Sequence, residues 1–516
     1  MKKILIRTNF DEKIGLGHIM RMFYFASYLK KKKFIIYLAL DRNINKFSNF
    51  LRLKFSFCNI IYIYDKTKFK NQLEDANKIK KIVNEFKITH IIIDDYRIDK
   101  IWEKFFFKKQ KIIVFSDLDN KKHLCDFIID SRWLGKFTHS RYTENLPKVT
   151  KKLLGPKYAI INHNLKKTIK NKKFIITFYL GGGGNFNIIK NTIISLSKLI
   201  KEKEYKNILI YLIVGPTIVN FKKKNLKKKH IRVVKNSYDI SKILQKTSFF
   251  VGVSSSIIYE LNYLGIPSLI FPTTSNQINK DNDLEDMGFY FNMEKSNLIY
   301  FKKISHFILQ IYHKYIRIKK LTKKRKIKVD NKGVERIYSI IFKNKKIFKK
   351  IIFKDPNYNS ISIVGDNLIN YYLNCRNLKS NRDNSVNRKL IKKIDHYLWW
   401  FLNNFKHYYF AKNNKIIIFL SHKLIKRENY FIGSWFKTFE KVSILDILKV
   451  LNWQLKNIKK KYKWLAIIKK SNKLVFKINT YLKFKKINPI YDSKVINFLV
   501  NHYKIKNKSN YYFLEK

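Results

Sequence analysis

Cysteine, proline and glycine are scarce, with 3, 7 and 15 copies in 516 residues. Cys58, Cys125 and Cys375 lie far apart with no paired spacing, which excludes a disulfide framework and a cysteine zinc site. Long apolar runs are also missing. None approaches the roughly 18 residues that a membrane-spanning helix needs, and the short run before Arg7 falls below the roughly 7–15 residues of a signal-peptide core. The sequence therefore predicts a cytoplasmic protein with no membrane span. Acidic residues are the last shortage, 36 against 109 lysines and arginines, a formal charge of +73. Such a surplus is usual for binding to nucleic acid or anionic membranes. Here the lysines run through every segment instead of forming one face, and Lys, Asn, Ile, Phe and Tyr are abundant together, as in coding sequence rich in A and T. The charge is read as solvated surface, with no nucleic-acid partner.

What is present is an apolar content of 46%, ample for buried cores, over a length that suggests about three domains at roughly 150 residues each. Residues 1–165 alternate short apolar runs (Ile4–Ile6, Phe34–Leu40, Ile60–Ile63, His90–Ile93, Ile112–Phe115, Phe127–Ile129) with helix-like stretches. Runs of that kind predict a parallel, doubly wound sheet, which binds ligands at the carboxyl ends of its strands. At those ends stand Gly15, Gly17 and His18, then Asp94-Asp95-Tyr96, then Ser116-Asp117. Two glycines two apart allow a tight turn and close backbone approach to a ligand, and an imidazole there can take a proton near neutral pH. A lone G-x-G-H also merely starts helices; three polar sites on one rim make the better pocket.

Residues 166–342 repeat the alternation with Phe174–Leu180, Ile208–Val214, Phe249–Val253 and Ser268–Phe271. Gly181-Gly182-Gly183-Gly184 follows the first of these, offering backbone amides to a phosphate or simply a flexible loop. Ser254-Ser255-Ser256 follows the third, with hydroxyls placed to cap the next helix or to hold phosphate oxygens. Glu260 lies one turn into that helix, where a carboxylate can accept both ribose hydroxyls, and Asn276-Gln277 come next. No Asp-x-Asp pair stands out as a magnesium site, and no metal is expected.

These residues carry a resemblance over 1–342 to the nucleotide-sugar hydrolases of the pseudaminic acid pathway, which remove UDP from UDP-2,4-diacetamido-2,4,6-trideoxy-β-L-altropyranose and are similar in fold to two-domain GT-B glycosyltransferases. The opening R-x-n-I-G-x-G-H-x-x-R matches at Arg7, Ile14, Gly15, Gly17, His18 and Arg21; I-I-D-x-Y matches at Ile92, Ile93, Asp94 or Asp95, and Tyr96; G-P-x-Y-A matches at Gly155–Ala159. Ser255-Ser256-x-x-x-Glu260, Leu264-Gly265-x-Pro267, Asn276-Gln277 and an Asp330–Arg336 element follow in order. The chain departs from the pattern at Asn162, where the family often has arginine, and at Gly181–Asn187, where it has G-G-S-D-P-x-N. The resemblance implies two Rossmann-like domains in GT-B arrangement and a metal-free, cofactor-free hydrolase. His18 would be the general base toward water, and Tyr96 and Asn276 would hold the sugar. Gly15, Gly17, Arg21, Gly182, Ser255, Ser256, Glu260 and Gln277 would surround the UDP-linked diacetamido sugar. A GT-B glycosyltransferase that passes a UDP-amino sugar to an acceptor is the alternative.

Residues 343–356 read as a linker. Residues 357–487 show helix, strand, strand, helix, strand and helix, with strands at Tyr408–Ala411, Ile416–Leu420 and Tyr430–Trp435. Tyr372–Asn377, Arg382, Asn384-Ser385, Asp395-His396 and Trp399, with Asn472, Ile478, Leu482 and Phe484 near the end, resemble an α+β GNAT-type acetyltransferase. That resemblance implies possible acetyl-CoA binding and N-acetylation of the 4-amino sugar nucleotide, the step before UDP removal. The glycine-rich loop that receives the coenzyme A diphosphate is replaced by Phe436–Ser443, without a glycine. Residues 488–516 read as a tail.

Overall fold

The computed structural model describes residues 2–10, 16–41, 45–64, 69–166, 171–181, 186–200, 203–215, 226, 228–235, 240–273, 277, 283–344, 360–403, 406–425, 429–457, 462–490 and 492–516. The chain divides into two compact units, Met1–Lys349 and Lys350–Lys516.

The first unit holds two all-parallel sheets. Strands β1 (Lys3–Thr8), β2 (Ile35–Leu40), β3 (Asn59–Tyr62), β4 (His90–Asp94), β5 (Lys111–Phe115), β6 (Phe127–Asp130) and β7 (Lys151–Leu154) lie in the order β3-β2-β1-β4-β5-β6-β7. Their unbroken Ile, Leu and Val runs follow from burial on both faces. Ile4 and Ile6 pack with Ile19, Met22 and Phe25 of helix Gly17–Lys31, whereas Leu5 joins Ala76, Ile79 and Val83 of helix Gln72–Glu85 on the other face. Strands β8 (Phe174–Tyr179), β9 (Ile208–Val214), β10 (Ile231–Lys235), β11 (Phe249–Val253), β12 (Ser268–Phe271) and β13 (Phe291–Asn292) form the second sheet, ordered β10-β9-β8-β11-β12-β13. In each sheet the winding reverses beside its first strand, at β1/β4 and β8/β11, and a crevice opens at the carboxyl ends there.

Sequence patterning misses β7, β10 and β13, edge strands that are short or half exposed. It also places helix Gly333–Phe342 with the second sheet, and this is corrected: Val334, Ile337 and Ile340 pack with Ile4, Ile6 and Leu29 of the first. Gly333 makes that return possible, since a Cβ there would sit 2.0 Å from the Ala159 carbonyl oxygen. Arg336 clamps the junction, donating to Lys157 O at 2.9 Å and to Asp330 at 2.7 Å.

The second unit is built on one mixed sheet. It contains β14 (Ser360–Ile363), β15 (Lys406–Lys412), β16 (Lys415–Ile425), β17 (Tyr430–Lys437), β18 (Lys463–Lys469), β19 (Lys485–Lys486) and β20 (Tyr511–Glu515), ordered β14-β15-β16-β17-β18-β20-β19. Only β17 and β18 run parallel, and they pair over Tyr430–Ile432 with Lys463–Leu465 before the pairing stops. Residues 488–516 are no mere tail: helix Ser493–Tyr503 packs Val495, Ile496 and Leu499 on Ile432 and Leu465, and β20 inserts between β18 and β19. The apolar tetrad Tyr511-Tyr512-Phe513-Leu514 was hidden by its Lys- and Asn-rich flanks. Most of the expected linker 343–356 lies outside the described residues. No described helix is long and apolar enough to cross a membrane.

Candidate active site

The first sheet's crevice brings His18, Arg21, Asp94, Tyr96 and Asp117 together. β1 and β4 are paired with Thr8 beside Asp94, so the helix that starts at Gly17 places His18 over the end of β4. His18 Nδ1 lies 2.5 Å from Asp94 Oδ1. Arg21, one turn further, holds the same carboxylate with Nη2 at 2.5 Å and Nε at 2.9 Å. Its Nη1 reaches both oxygens of Asp117 at 3.3 Å, and the Tyr96 hydroxyl donates to Asp117 Oδ2 at 2.7 Å. The Tyr96 ring stands edge-on to the imidazole, centroids 4.5 Å apart.

The electrostatics follow from this packing. Burial disfavours the His18 cation, but the Asp94 carboxylate more than offsets it, so the pKa stands above its ordinary 6.5. Burial also opposes ionisation of Asp94 and Asp117, yet Arg21 holds both below the usual carboxylate range. The Tyr96 hydroxyl is pushed up by burial and by Asp117, and stays a donor. With Nδ1–H directed at Asp94, Nε2 of His18 has no hydrogen-bond partner among the described residues, and the side chain keeps 11% of its surface. A Cβ on Gly17 would meet nothing within 4 Å among the described residues beyond its chain neighbours and its helix's own backbone, so the helix start is open there.

The sequence left Asp94 or Asp95 open as the acid of the I-I-D-x-Y match, and strand alternation settles it. Asp94 faces His18. Asp95 turns to Arg97, accepting its backbone N–H and Nε at 2.9 Å. Arg7 likewise lies on the far face, fully buried against Asp75 at 2.8 Å and Asp41 at 2.6 Å, and serves the fold.

At the second crevice, Gly181 takes φ +81°, a backbone conformation suited to glycine, at the end of β8. Ser255 and Ser256 follow β11. Ser256 makes no side-chain cap to helix Ile257–Leu264, so the capping role is not realised there. Glu260 lies near Tyr179, whose hydroxyl is pushed up by burial and by that carboxylate. Gln277 braces its own loop: its Oε1 accepts from Thr273 N at 2.9 Å and Oγ1 at 3.1 Å, and its carbonyl accepts from Ser254 Oγ. Gly15, Gly182 and Asn276 lie outside the described residues. Tyr259, buried in the same helix and unsuspected from sequence, lies near Ser131 after β6, which partly offsets the rise that burial gives its hydroxyl, so the two sheets' rims meet there. Ser131 and Arg132 stand at a strand's carboxyl end, the signal that could have found them.

In the second unit, a coenzyme A diphosphate would need free amides at the start of helix Ile444–Lys456. Two of the amides there are already engaged. Ser443 Oγ accepts from Asp446 N at 3.1 Å, Asp446 returns to Ser443 N at 3.3 Å, and Lys412 Nζ holds the carboxylate at 3.1 Å. A capping box puts a fixed negative charge where the diphosphate would lie, so these residues do not fit that group.

No protein-family model matches the chain, and no curated protein matches it. Solved structures do. MurG of Acinetobacter baumannii aligns with a TM-score of 0.47 and 10% identity over 66% of this chain and 100% of its own. The S. aureus MnaA–UDP structure gives 0.43 and 14% over 67% and 97%. UDP-GlcNAc 2-epimerase from Neisseria meningitidis bound to UDP-GlcNAc gives 0.44 and 13% over 67% and 100%. At these scores the likenesses assign neither family nor activity, and function must be argued from the site.

Proposed function

We propose that residues 1–342 form a UDP-sugar hydrolase of GT-B type, acting in pseudaminic acid biosynthesis in the cytoplasm. Its reaction converts UDP-2,4-diacetamido-2,4,6-trideoxy-β-L-altropyranose and water to the free sugar and UDP. The observation that supports this most is the His18–Asp94 pair at the β1/β4 crevice, in which the carboxylate takes Nδ1 and leaves Nε2 to a ligand. Water gives a proton to Nε2 as its oxygen bonds to the anomeric carbon; the bond from that carbon to the β-phosphate oxygen breaks, and its electron pair leaves with UDP. Asp94 stabilises the imidazolium that forms, and Arg21 holds Asp94 ionised. Tyr96 helps to hold the sugar, the role that the resemblance also gives Asn276. The hydroxyls of Ser255 and Ser256 and the amides of the helix behind them meet charge on the diphosphate, Glu260 takes the ribose, and no metal is invoked.

The test is product analysis on the diacetamido-altrose substrate with water alone, run beside UDP-GlcNAc. Release of UDP from the former, lost in His18→Ala, supports the hydrolase; strict dependence on an added acceptor replaces it with a glycosyltransferase. For residues 360–516 we propose a GNAT-like domain without acetyl-CoA chemistry, on the strength of the occupied helix start.

A further inference from the structure

The segment after β6 runs along the contact between the two halves of the first unit. Ser131 lies near Tyr259 and influences its hydroxyl. Trp133 packs among Ile257, Leu261 and Met287, and its Nε1 donates to Asp286 Oδ2 at 3.2 Å. Gly135 lies so close to Asp283 that a Cβ would fall 2.3 Å from its Oδ1. Both neighbours of Arg132 are therefore docked on the second half, while its own side chain is drawn back to the first. Asp130 accepts the Arg132 backbone N–H at 2.9 Å, Nε at 3.1 Å on each oxygen, and Nη2 at 2.7 Å.

Asp130 is fully buried and also accepts from the buried Arg141 and from Tyr142 at 2.9 Å, so two guanidinium groups share one carboxylate. Asp119, 40% exposed, lies 3.5 Å from Nη2 of Arg132 and screens it weakly. Asp117 is engaged by Arg21 and Tyr96. Of the two arginines on Asp130, Arg132 has the accessible edge, at 19% exposure against 3%, and its Nη1 has no hydrogen-bond partner among the described residues. A planar guanidinium fixed at Nε and Nη2, with Nη1 outward, is preorganised for an oxyanion.

We propose that Arg132 is the cationic contact for the substrate's diphosphate: Nη1 donates to a non-bridging phosphate oxygen and meets the charge that grows there as UDP departs. The proposal rests on the UDP-sugar function above. It gives a site without a proposed metal the fixed positive charge that a leaving diphosphate requires, and it places that charge beside Tyr259, in the helix that starts after Ser255 and Ser256.

The test is calorimetry on the full chain with UDP and with uridine. The expected result is that Arg132→Gln weakens UDP at least tenfold and leaves uridine within twofold, with Arg132→Lys between the two, and that raising salt weakens UDP more in the parent chain than in the glutamine variant. Equal UDP affinity in parent and Arg132→Gln overturns the proposal. So does a parallel loss of UDP and uridine, which marks Arg132 as a brace for the fold. A parent chain that binds neither compound overturns the nucleotide-sugar function itself, and with it this contact.

Discussion

Two helix starts in this chain, one in each unit, follow strands of their own sheets, and they are furnished in opposite ways. Helix Gly17–Lys31 opens with no side-chain cap, no acid in its first turn and space beside Gly17. Helix Ile444–Lys456 opens with a closed capping box whose acid is pinned by Lys412. A helix N-terminus offers amides and a positive dipole end to any anion, and a protein can spend that offer on its own cap or keep it for a ligand. The first start is kept open, and a histidine with a free Nε2 stands there. The second is consumed.

The largest effect expected at the open start is that of His18→Ala. Loss of the base should lower kcat by roughly 10²–10⁴-fold, while UDP affinity by calorimetry stays within about twofold, because the proposed nucleotide contacts of Ser255, Ser256 and Glu260 are on the second sheet. A similar loss of UDP binding would mean that His18 supports the fold and not the reaction.

Asp94→Asn comes next and tests why the open start works. In the parent chain the base form of His18 is needed, so kcat/KM should rise with pH through an apparent pKa above 6.5. Without the carboxylate, burial is left as the dominant influence and lowers the imidazole's pKa. The rising limb should move to lower pH, and the plateau should fall by about 10–100-fold as imidazolium stabilisation is lost. An unmoved limb would show that another group titrates.

The open crevice was largely legible in the sequence, because unbroken apolar runs marked the strands and the rim rule pointed to whatever followed them. His18, Asp94-Asp95-Tyr96 and Ser116-Asp117 were found that way. Which aspartate faces His18 was not legible, since it depends on where the strand's alternation stops. Tyr259 was missed because its neighbour Ser131 comes from the other sheet, and contact across sheets leaves no local pattern; Arg132 follows β6, where the same rim rule would have found it. The closed start was half legible. The missing glycines between Phe436 and Ser443 were plain and the Ser443-x-x-Asp446 box is a local pattern, but the Lys412 that locks it comes from a separate strand. Strand β20 was hidden by flanking lysines and asparagines, and the return of helix Gly333–Phe342 by its position in the chain.

Gly17→Val sharpens the comparison at the open end. A Cβ meets nothing there, so thermal unfolding should change little, whereas two added methyl groups would fill the opening at the helix start next to His18 in sequence. KM for the sugar nucleotide should rise by about tenfold, which is the scale of a contact worth about 1.4 kcal/mol, with UDP alone less affected. A variant that unfolds, with KM unchanged in the folded fraction, would place the ligand elsewhere.

The smallest effect belongs to the closed start, and it asks whether closure is cause or consequence. Ser443→Ala removes the cap and should cost about 1 kcal/mol of stability, read as a lower unfolding midpoint, with hydrolysis unchanged. Calorimetry of the parent chain with acetyl-CoA should give no heat. If Asp446→Ser, which keeps a small polar residue and removes the charge, then gains measurable acetyl-CoA binding, the fixed carboxylate was the barrier and the rest of the domain is still shaped for the coenzyme. If it gains none, the loss extends past the helix start into the glycine-free loop, where side chains such as Phe436, buried against Tyr372 at 4.9 Å between ring centroids, take up space that a coenzyme would need. Binding of acetyl-CoA by the parent chain would break the comparison outright, because a capped, acidic helix start would then have served a diphosphate after all.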